Sequence, residues 1–454
     1  MKPVDPLKPK TDMNTATYQY LLRYSAIKRG ALGAYKNALA NQTLEPGTLE
    51  ELSWKKTRTL LEHAYENVPW YTHRFRAIGL HPKDIVHPDQ YRQVPILTRD
   101  DMAENFERFI SKNAGRNSLK ISSTGGSSGK PLKFAMGKFG QREVQKWQMY
   151  SWWGINPGDN MVSIYRGLPR TGLQTWALNF VNWPQRTLRV DATQIDEKGI
   201  RELIKRAGET RPTLIHGYVG ALDAVADHIL EHGLDFPPPK VVWATAAPIT
   251  KIQENKISKA FNAPVCDQYG CSEMYFIASQ CPQKTGLHVF SDTVKLEILD
   301  ENGNPVETGD HGRITITKLD EHHFPMIRYE NGDRGRYLKG HCDCGLRLPL
   351  LDKVKGRVSD NIVLPDGTVM AGEFLTTIFD DIPESVKQFQ IVQKKDRSLD
   401  LNIVLNPQNL GMEKIEALTR QQLHSRIRDQ VGLRIHKVEE IRPIKGKLKF
   451  IIKE

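Results

Sequence analysis

Small hydroxyl residues, glycines and cations are concentrated in one stretch of the chain, Ser122-Ser123-Thr124-Gly125-Gly126-Ser127-Ser128-Gly129-Lys130-Pro131-Leu132-Lys133. Glycine permits positive φ and close backbone approach, so successive N–H groups can converge on an anion. The hydroxyls of Ser123, Thr124, Ser127 and Ser128 add donors, and Lys130 and Lys133 add positive charge, which together suit a polyphosphate. The spacing is not that of the common nucleotide loop: Gly125 and Gly129 stand too close, and Pro131 follows the lysine where a metal-holding Ser or Thr would be. The competing reading of the same run is a flexible Gly/Ser linker.

A second group with chemical potential is Cys281, His288, Cys342 and Cys344. A Cys-x₆-His pair and a Cys-x-Cys pair could give four soft ligands for tetrahedral Zn²⁺, with Gly286 and Gly345 letting each pair fold back. The spacing is not a common finger pattern, and the other reading is reduced thiols in a core with a surface histidine. Cys266 and Cys271 then remain unpaired. Five cysteines are too few for a disulfide framework.

These groups need a scaffold, and the chain is long enough to build one. At 454 residues it fits two or three domains. Hydrophobic residues at 39% and charged ones at 26% exclude long disordered regions. The net charge of +11 suits an anionic ligand or surface, or is simply a solvated lysine-rich exterior. No run reaches the roughly 18 apolar residues of a spanning helix, and the first residues lack an apolar signal core, so a cytoplasmic protein is expected.

From Tyr18 to Ala40 the pattern is basic and roughly helical, consistent with a membrane-surface helix or with one packed on its own protein. A second helical stretch, Leu49 to Tyr71, should stop at Pro69, and Thr98 signals another helix start. After the hydroxyl-rich loop, a helix over Gln141 to Trp153 is followed by alternating strand and helix patterns. The strands are Met161 to Tyr165, Leu214 to Tyr218 and Val241 to Thr245, and the helices are Asp196 to Arg206 and Ala221 to His232. That alternation predicts an α/β sheet with helical crossovers and a nucleotide at its strand ends. From Gly286 the texture is β-rich, including Val294 to Leu299 and Gly312 to Thr317, and beyond Lys355 a small α+β domain opens with a hairpin around Pro365-Asp366-Gly367.

Five motifs then fall in one order: the hydroxyl-rich loop, Asp267-Gln268-Tyr269-Gly270-Cys271-Ser272-Glu273, Pro325-Met326-Ile327-Arg328-Tyr329-Glu330-Asn331-Gly332-Asp333, Gly356-Arg357, and Gly446-Lys447. Over nearly the whole chain this order resembles the adenylate-forming superfamily of acyl-CoA synthetases, adenylation domains and luciferases. His63 to Tyr71, the Pro95-Ile96-Leu97-Thr98 step and Cys342-Asp343-Cys344-Gly345 resemble its phenylacetate-CoA ligase branch, which includes relatives linked to capsular polysaccharide synthesis (CapK) and coenzyme F390 synthetase. Members of that branch sometimes carry a similar Cys/His set.

The resemblance implies a large α/β domain with a β-rich subdomain and a small mobile α+β domain. Their expected extents are a helical segment over 1–95 packed on the large domain, the large domain over 96–355, a hinge over 356–361 and the small domain over 362–454. It also implies ATP- and Mg²⁺-dependent adenylation of a carboxylic acid, followed by acyl transfer, with CoA as the leading acceptor. An adenylate-forming ligase or adenylyltransferase with an amine, sugar or phenolic acceptor is the alternative, and a nucleic-acid-binding role is not expected.

Carried over residue by residue, Ser123 and Thr124 to Lys130 would hold the β and γ phosphates. Tyr269 would stack on adenine beside Gly270 and Ser272, Ala246 and Ala247 would contact adenine through their backbone, and Asp333 would bind the ribose hydroxyls. Glu273 would hold Mg²⁺, Arg357 would reach the ribose or phosphate from the hinge, and Lys447 would bridge carboxylate and α-phosphate. The acid pocket is expected among Leu214 to Tyr218, Ala244 to Ala247 and the Tyr269 strand, with His216 and Tyr218 lining it. Two departures stand out. Thr245-Ala246-Ala247-Pro248 lacks a glutamate that relatives carry, and Ser359 stands where the hinge usually has an aspartate, which leaves small-domain rotation and the CoA acceptor less firmly implied.

Overall fold

The computed structural model describes residues 17–22, 31–124, 132–137, 142–165, 172–173, 176, 180, 182–191, 197–245, 248–354, 362–365, 369–370, 378–379, 382, 385–407, 409–427, 431–442 and 451–454. The chain divides into two compact units: Met1–Gly158 with Gln268–Val354, and Asp159–Asp267 with Lys355–Glu454.

The first unit opens with helices α1 (Ala31–Asn41), α2 (Pro46–Asn67) and α3 (Pro69–Ala77). Pro69 both ends and begins a helix. Val68 before it is extended at φ −112° and ψ 109°, as a residue preceding proline prefers, and Pro69 then occupies the first helical position, where no amide hydrogen is needed. The basic pattern near Tyr18 packs inward: Tyr20, Leu21, Ala31, Tyr35 and Ala38 bury against Val144 and Trp147, with both tyrosines edge-on to Trp147 at 5.9 Å. Helix α4 (Arg99–Glu104) starts at Thr98, whose hydroxyl accepts from the Asp101 amide while the Asp101 carboxylate accepts from the Thr98 amide. Strands β1 (Leu119–Thr124) and β2 (Leu132–Gly137) pair antiparallel, with Ser123 opposite Lys133, and are followed by helix α5 (Arg142–Trp152).

The second unit then alternates β3 (Met161–Tyr165), β4 (Thr187–Asp191), α6 (Glu197–Thr210), β5 (Leu214–Tyr218), α7 (Val219–Glu231), β6 (Val241–Thr245), α8 (Lys251–Phe261) and the start of β7 (Val265–Cys271). These strands are parallel in the order β4-β3-β5-β6-β7. Strands buried on both faces read as continuous apolar runs, which is why Leu214-Ile215 and Val241-Val242-Trp243 carry no alternation. β7 continues into the first unit, where β8 (Tyr275–Gln280), β9 (Leu287–Val289) and later β13 (Leu350–Leu351) extend it antiparallel. Between them, β10 (Val294–Leu299), β11 (Gly312–Lys318) and β12 (Tyr329–Gly335) form a separate antiparallel sheet. The core of the first unit runs from Leu60, Tyr71 and Phe109 to Met274, Ile316 and Tyr329.

Past residue 355, β14 (Ile362–Val363) and β15 (Val369–Met370) form the expected hairpin. β16 (Val386–Gln393), β17 (Leu399–Leu405), α9 (Met412–Ile427), β18 (Leu433–Lys437) and β19 (Ile451–Lys453) follow, with strand order β18-β17-β16-β19. Lys387 on β16 donates to Glu231 on α7 at 2.7 Å, and Lys256 on α8 reaches Asp223 at 2.8 Å and Asp227 at 3.0 Å. Among the described residues no helix is long and apolar enough to cross a membrane.

Candidate active site

The site is built where β7 turns into β8. At Gly270 the ladder slips by one residue, and a Cβ there would lie 1.9 Å from the carbonyl oxygen of Tyr275. Only glycine lets the chain double back this tightly. The turn buries Glu273, 3% exposed, beneath the end of β7 and leaves Ser272 exposed.

β12 contributes a second irregularity. Thr315 pairs with Glu330 and Arg313 with Arg334, so Asn331, Gly332 and Asp333 bulge from the ladder opposite Ile314, with Gly332 at φ +85°. The bulge turns Asn331 and Asp333 toward β7. Tyr269 Oη donates to Asp333 Oδ2 at 2.8 Å, while Asn331 Nδ2 donates to Tyr269 Oη at 2.7 Å and to Asp333 Oδ2 at 2.6 Å. The Asp333 amide donates back to Asn331 Oδ1 at 3.1 Å, closing the ring. Burial and then the Asp333 carboxylate push the Tyr269 phenol far above its ordinary range, so it remains a neutral donor.

Glu273 lies beside this ring. Tyr329 donates to Glu273 Oε1 at 3.4 Å, and Arg99, from α4, brings Nη1 to 3.8 Å of the same oxygen. The neighbouring Cys271 thiol is pushed up by burial and then by Glu273, which makes it a poor nucleophile. The buried carboxylate offers the hard oxygens that Mg²⁺ takes, with the Arg99 guanidinium as a competing cation on Oε1. Sequence reasoning had not assigned Arg99, Tyr329 or Asn331. Asn331 was visible inside its motif, but nothing in the spacing reveals a bulge, and no sequence signal brings α4 beside β7.

In the second unit His216, 7% exposed, lies on β5 with Tyr218, and Tyr165 from β3 meets both edge-on, at 5.1 Å and 4.9 Å. Trp243 on β6 lies 6.3 Å from the His216 ring. The result is an aromatic wall near the carboxyl ends of parallel strands. Ser123 and Thr124 end β1, but Gly125, Gly126, Ser127, Ser128, Gly129, Lys130, Ala246, Ala247, Arg357 and Lys447 lie outside the described residues.

Cys281, His288, Cys342 and Cys344 converge, with their ligand atoms all within 4.8 Å of one another and all four residues buried. Cys281 Sγ is 3.6 Å from Cys342 Sγ, and Cys344 Sγ is 3.3 Å from His288 Nε2. His288 Nδ1 faces the Leu348 carbonyl at 3.4 Å, which favours the proton on Nδ1 and turns the Nε2 lone pair toward the sulfurs. The hydrogen bond from Cys344 and then the histidine hold the Cys281 thiol well below its ordinary range. Three thiols and one imidazole in this arrangement are the donor set of tetrahedral Zn²⁺. Gly345, at φ +84°, lets the second pair turn. Gly286 lies in a bend whose added Cβ would meet Leu338 at 2.8 Å, so its need is also one of space.

The chain is similar to several known proteins. A family model for the CapK C-terminal domain matches residues 362–454. Phenylacetate-coenzyme A ligase of Escherichia coli (strain K12) is 26% identical over 338 residues, covering 71% of this chain and 74% of that protein. Protein CapK of Staphylococcus aureus is 26% identical over 294 residues, covering 64% and 63%. In structure the chain is similar to 2-hydroxyisobutyryl-CoA ligase in its postadenylation state with 2-HIB-AMP, with TM-score 0.77, 16% identity and 91% of each chain covered. Fold and relatives together define an adenylate-forming ligase. Within that class, the matches are to the branch of the phenylacetate-CoA ligases and CapK.

Proposed function

We propose that the protein activates a carboxylic acid as its acyl-adenylate, releasing pyrophosphate from ATP, and passes the acyl group to CoA. The observation that supports this most directly is the buried ring of Tyr269, Asn331 and Asp333 beside Glu273, because it presents a fixed ring face and a fixed carboxylate next to a cation-binding carboxylate. Tyr269 packs against adenine, and Asp333, held by two donors, accepts from the ribose hydroxyls. Glu273 would hold Mg²⁺, which would supply positive charge against the phosphates, and Arg99 steadies that carboxylate.

The remaining roles follow the sequence resemblance. Ser123 to Lys130 hold the β and γ phosphates with backbone amides and hydroxyls. Backbone groups of Ala246 and Ala247 meet adenine. Residues 362–454 act as a mobile lobe across the 356–361 hinge and deliver Lys447 to the carboxylate and α-phosphate, with Arg357 at the pivot. His216 and Tyr218 line an acid pocket whose aromatic wall suits a compact or aromatic acid. The Cys281 cluster takes a structural zinc that ties the β8-β9 turn to the loop before β13.

A second reading keeps adenylation and replaces CoA by an amine, sugar or phenolic acceptor. It is favoured by the match of 362–454 to the CapK C-terminal domain, since in this reading that lobe meets the acceptor. ATP–pyrophosphate exchange with aryl, fatty, amino and sugar acids, in wild type and Lys447→Ala, tests the first step. Exchange that requires one acid and collapses in the variant supports adenylation, and no exchange with any acid refutes it. AMP release that depends on CoA then separates the two acceptors.

A further inference from the structure

The second unit carries a side-chain cluster that adenylation does not use. His228 and His232 lie one helical turn apart at the end of α7, with His232 as the residue that caps it, and Glu197 from the first turn of α6 faces them. One ligand atom from each lies within 4.8 Å of the others. We propose that Glu197, His228 and His232 form a binding site for a divalent ion of the zinc class, independent of the Cys281 cluster.

Several features point to a ligand. Imidazoles at i and i+4 share one helix face, the spacing by which a helix presents two nitrogens to one ion. Their rings stack with centroids 4.0 Å apart and planes inclined at 29°, so the two imidazoles lie side by side. His232 Nδ1 donates to the His228 carbonyl at 3.0 Å, which commits the Nδ1 proton and leaves Nε2 as the free donor atom, the orientation that metal-binding histidines receive from an outer hydrogen bond. His228 Nε2 is buried and has no hydrogen-bond partner among the described residues. A buried ring nitrogen in that condition is costly unless something occupies it. The last carbonyls of α7 add negative potential at the same place.

The geometry is open as well as convergent. Three donors bound to one zinc ion at about 2.0–2.1 Å lie about 3.3 Å apart, so modest rotation of the side chains closes the set. Two imidazoles and one carboxylate leave a coordination position for water, and a borderline ion suits that mixture better than Ca²⁺ or Mg²⁺. One group competes. Arg201, one turn along α6, brings Nε and Nη2 each to 3.0 Å of Glu197 Oε1 and holds the Glu197 carboxyl below its ordinary range. The ion must draw Glu197 from that partner, so Arg201 sets the affinity.

The competition gives the test its signature. Full-length protein carrying one equivalent of Zn²⁺ is titrated with Ni²⁺ by calorimetry, in parallel with His228→Asn, His232→Asn, Glu197→Gln and Arg201→Ala. Wild type should bind one Ni²⁺, and each histidine variant should weaken binding by more than the roughly tenfold that loss of an orienting partner causes. Glu197→Gln should weaken it too, and Arg201→Ala should tighten it. Anomalous scattering from a nickel-soaked crystal should then place the ion among the three side chains. Equal binding in wild type and the histidine variants, or an anomalous peak elsewhere, overturns the site. Insensitivity to both Glu197→Gln and Arg201→Ala overturns it as well, because it reduces the cluster to a histidine pair.

Discussion

Tyr269 and Asp333 come from different sheets of the first unit and meet through one 2.8 Å hydrogen bond in which the phenol donates to the carboxylate. The contact fixes the tyrosine ring and engages the Asp333 carboxylate through Oδ2, which also accepts from Asn331. Neither residue reaches that geometry alone, because Asn331 bonds both and spans the bulge between them.

Asn331→Ala should therefore loosen Tyr269 and Asp333 together without changing any charge. A hydrogen bond to a charged group is worth about 1.5–3 kcal/mol, which corresponds to a roughly 10- to 100-fold rise in KM for ATP. The KM for the acid should move little. Steady-state kinetics with each substrate varied in turn checks this, and equal rises in both constants would show a general loss of structure instead.

The cysteine cluster predicts one tightly held zinc. Elemental analysis should find about one equivalent that survives dialysis against a weak chelator. Cys344→Ser should lose it and lower the melting temperature, because the ion joins segments about sixty residues apart in sequence. A variant that keeps both its zinc and its melting temperature would exclude Cys344 as a ligand.

How much of this was legible in the sequence depends on how local the signal is. Pro69 and Thr98 mark helix boundaries through their own backbone chemistry, and both boundaries are found where expected. The parallel strands were legible because burial on both faces leaves uninterrupted apolar runs. The Cys/His set was legible as residue types, although its convergence depends on β9 pairing with β13. Asn331 and Arg99 were not legible as site residues. Their positions come from a slipped ladder and from a helix packed against a distant strand, and neither leaves a periodic trace. Residues 125–131 of the hydroxyl-rich loop, the hinge and Lys447 were read from composition and order, and lie outside the described residues.

Glu321 and His323 give a pH-dependent contribution to stability. The hydrogen bond that the His323 ring donates to Glu321 raises the His323 pKa above its ordinary value, and although burial alone would raise Glu321, His323 and Lys318 outweigh it and lower that carboxyl. A raised histidine pKa stabilises the fold fully below the unfolded value of about 6.5, and the contribution fades as pH rises through the folded value. A lowered carboxyl pKa acts in the opposite sense, contributing above about 4.5 and fading as pH falls through the folded value. Glu321→Gln should thus cost most near pH 5.5 and least near pH 8.5. Thermal melts of both proteins at the two values check the sign, and a larger loss at high pH would contradict it.

Arg328 is the second largest fully buried side chain among those described, and at φ +52° it also holds a backbone conformation unusual for its type. Its guanidinium donates to the Arg92 carbonyl at 2.9 Å, the Val94 carbonyl at 2.7 Å and Glu297 Oε2 at 3.1 Å, and lies 5.6 Å from the Tyr91 ring centroid. It thereby ties the segment before α4 to the start of β12, the two elements that carry Arg99 and the Asn331 bulge. Arg328→Ala would leave two carbonyls without this donor and Glu297 without its cation, keeping only the Thr315 hydroxyl, and breaking a buried pair in this way costs about 3–5 kcal/mol. Chemical denaturation should show a loss of that size. Arg328→Met fills the space without the charge, so it should recover part of the loss only if packing, rather than the stranded Glu297, dominates. Glu297→Gln in the Arg328→Met background removes the stranded charge, and stability regained there would assign the cost to electrostatics.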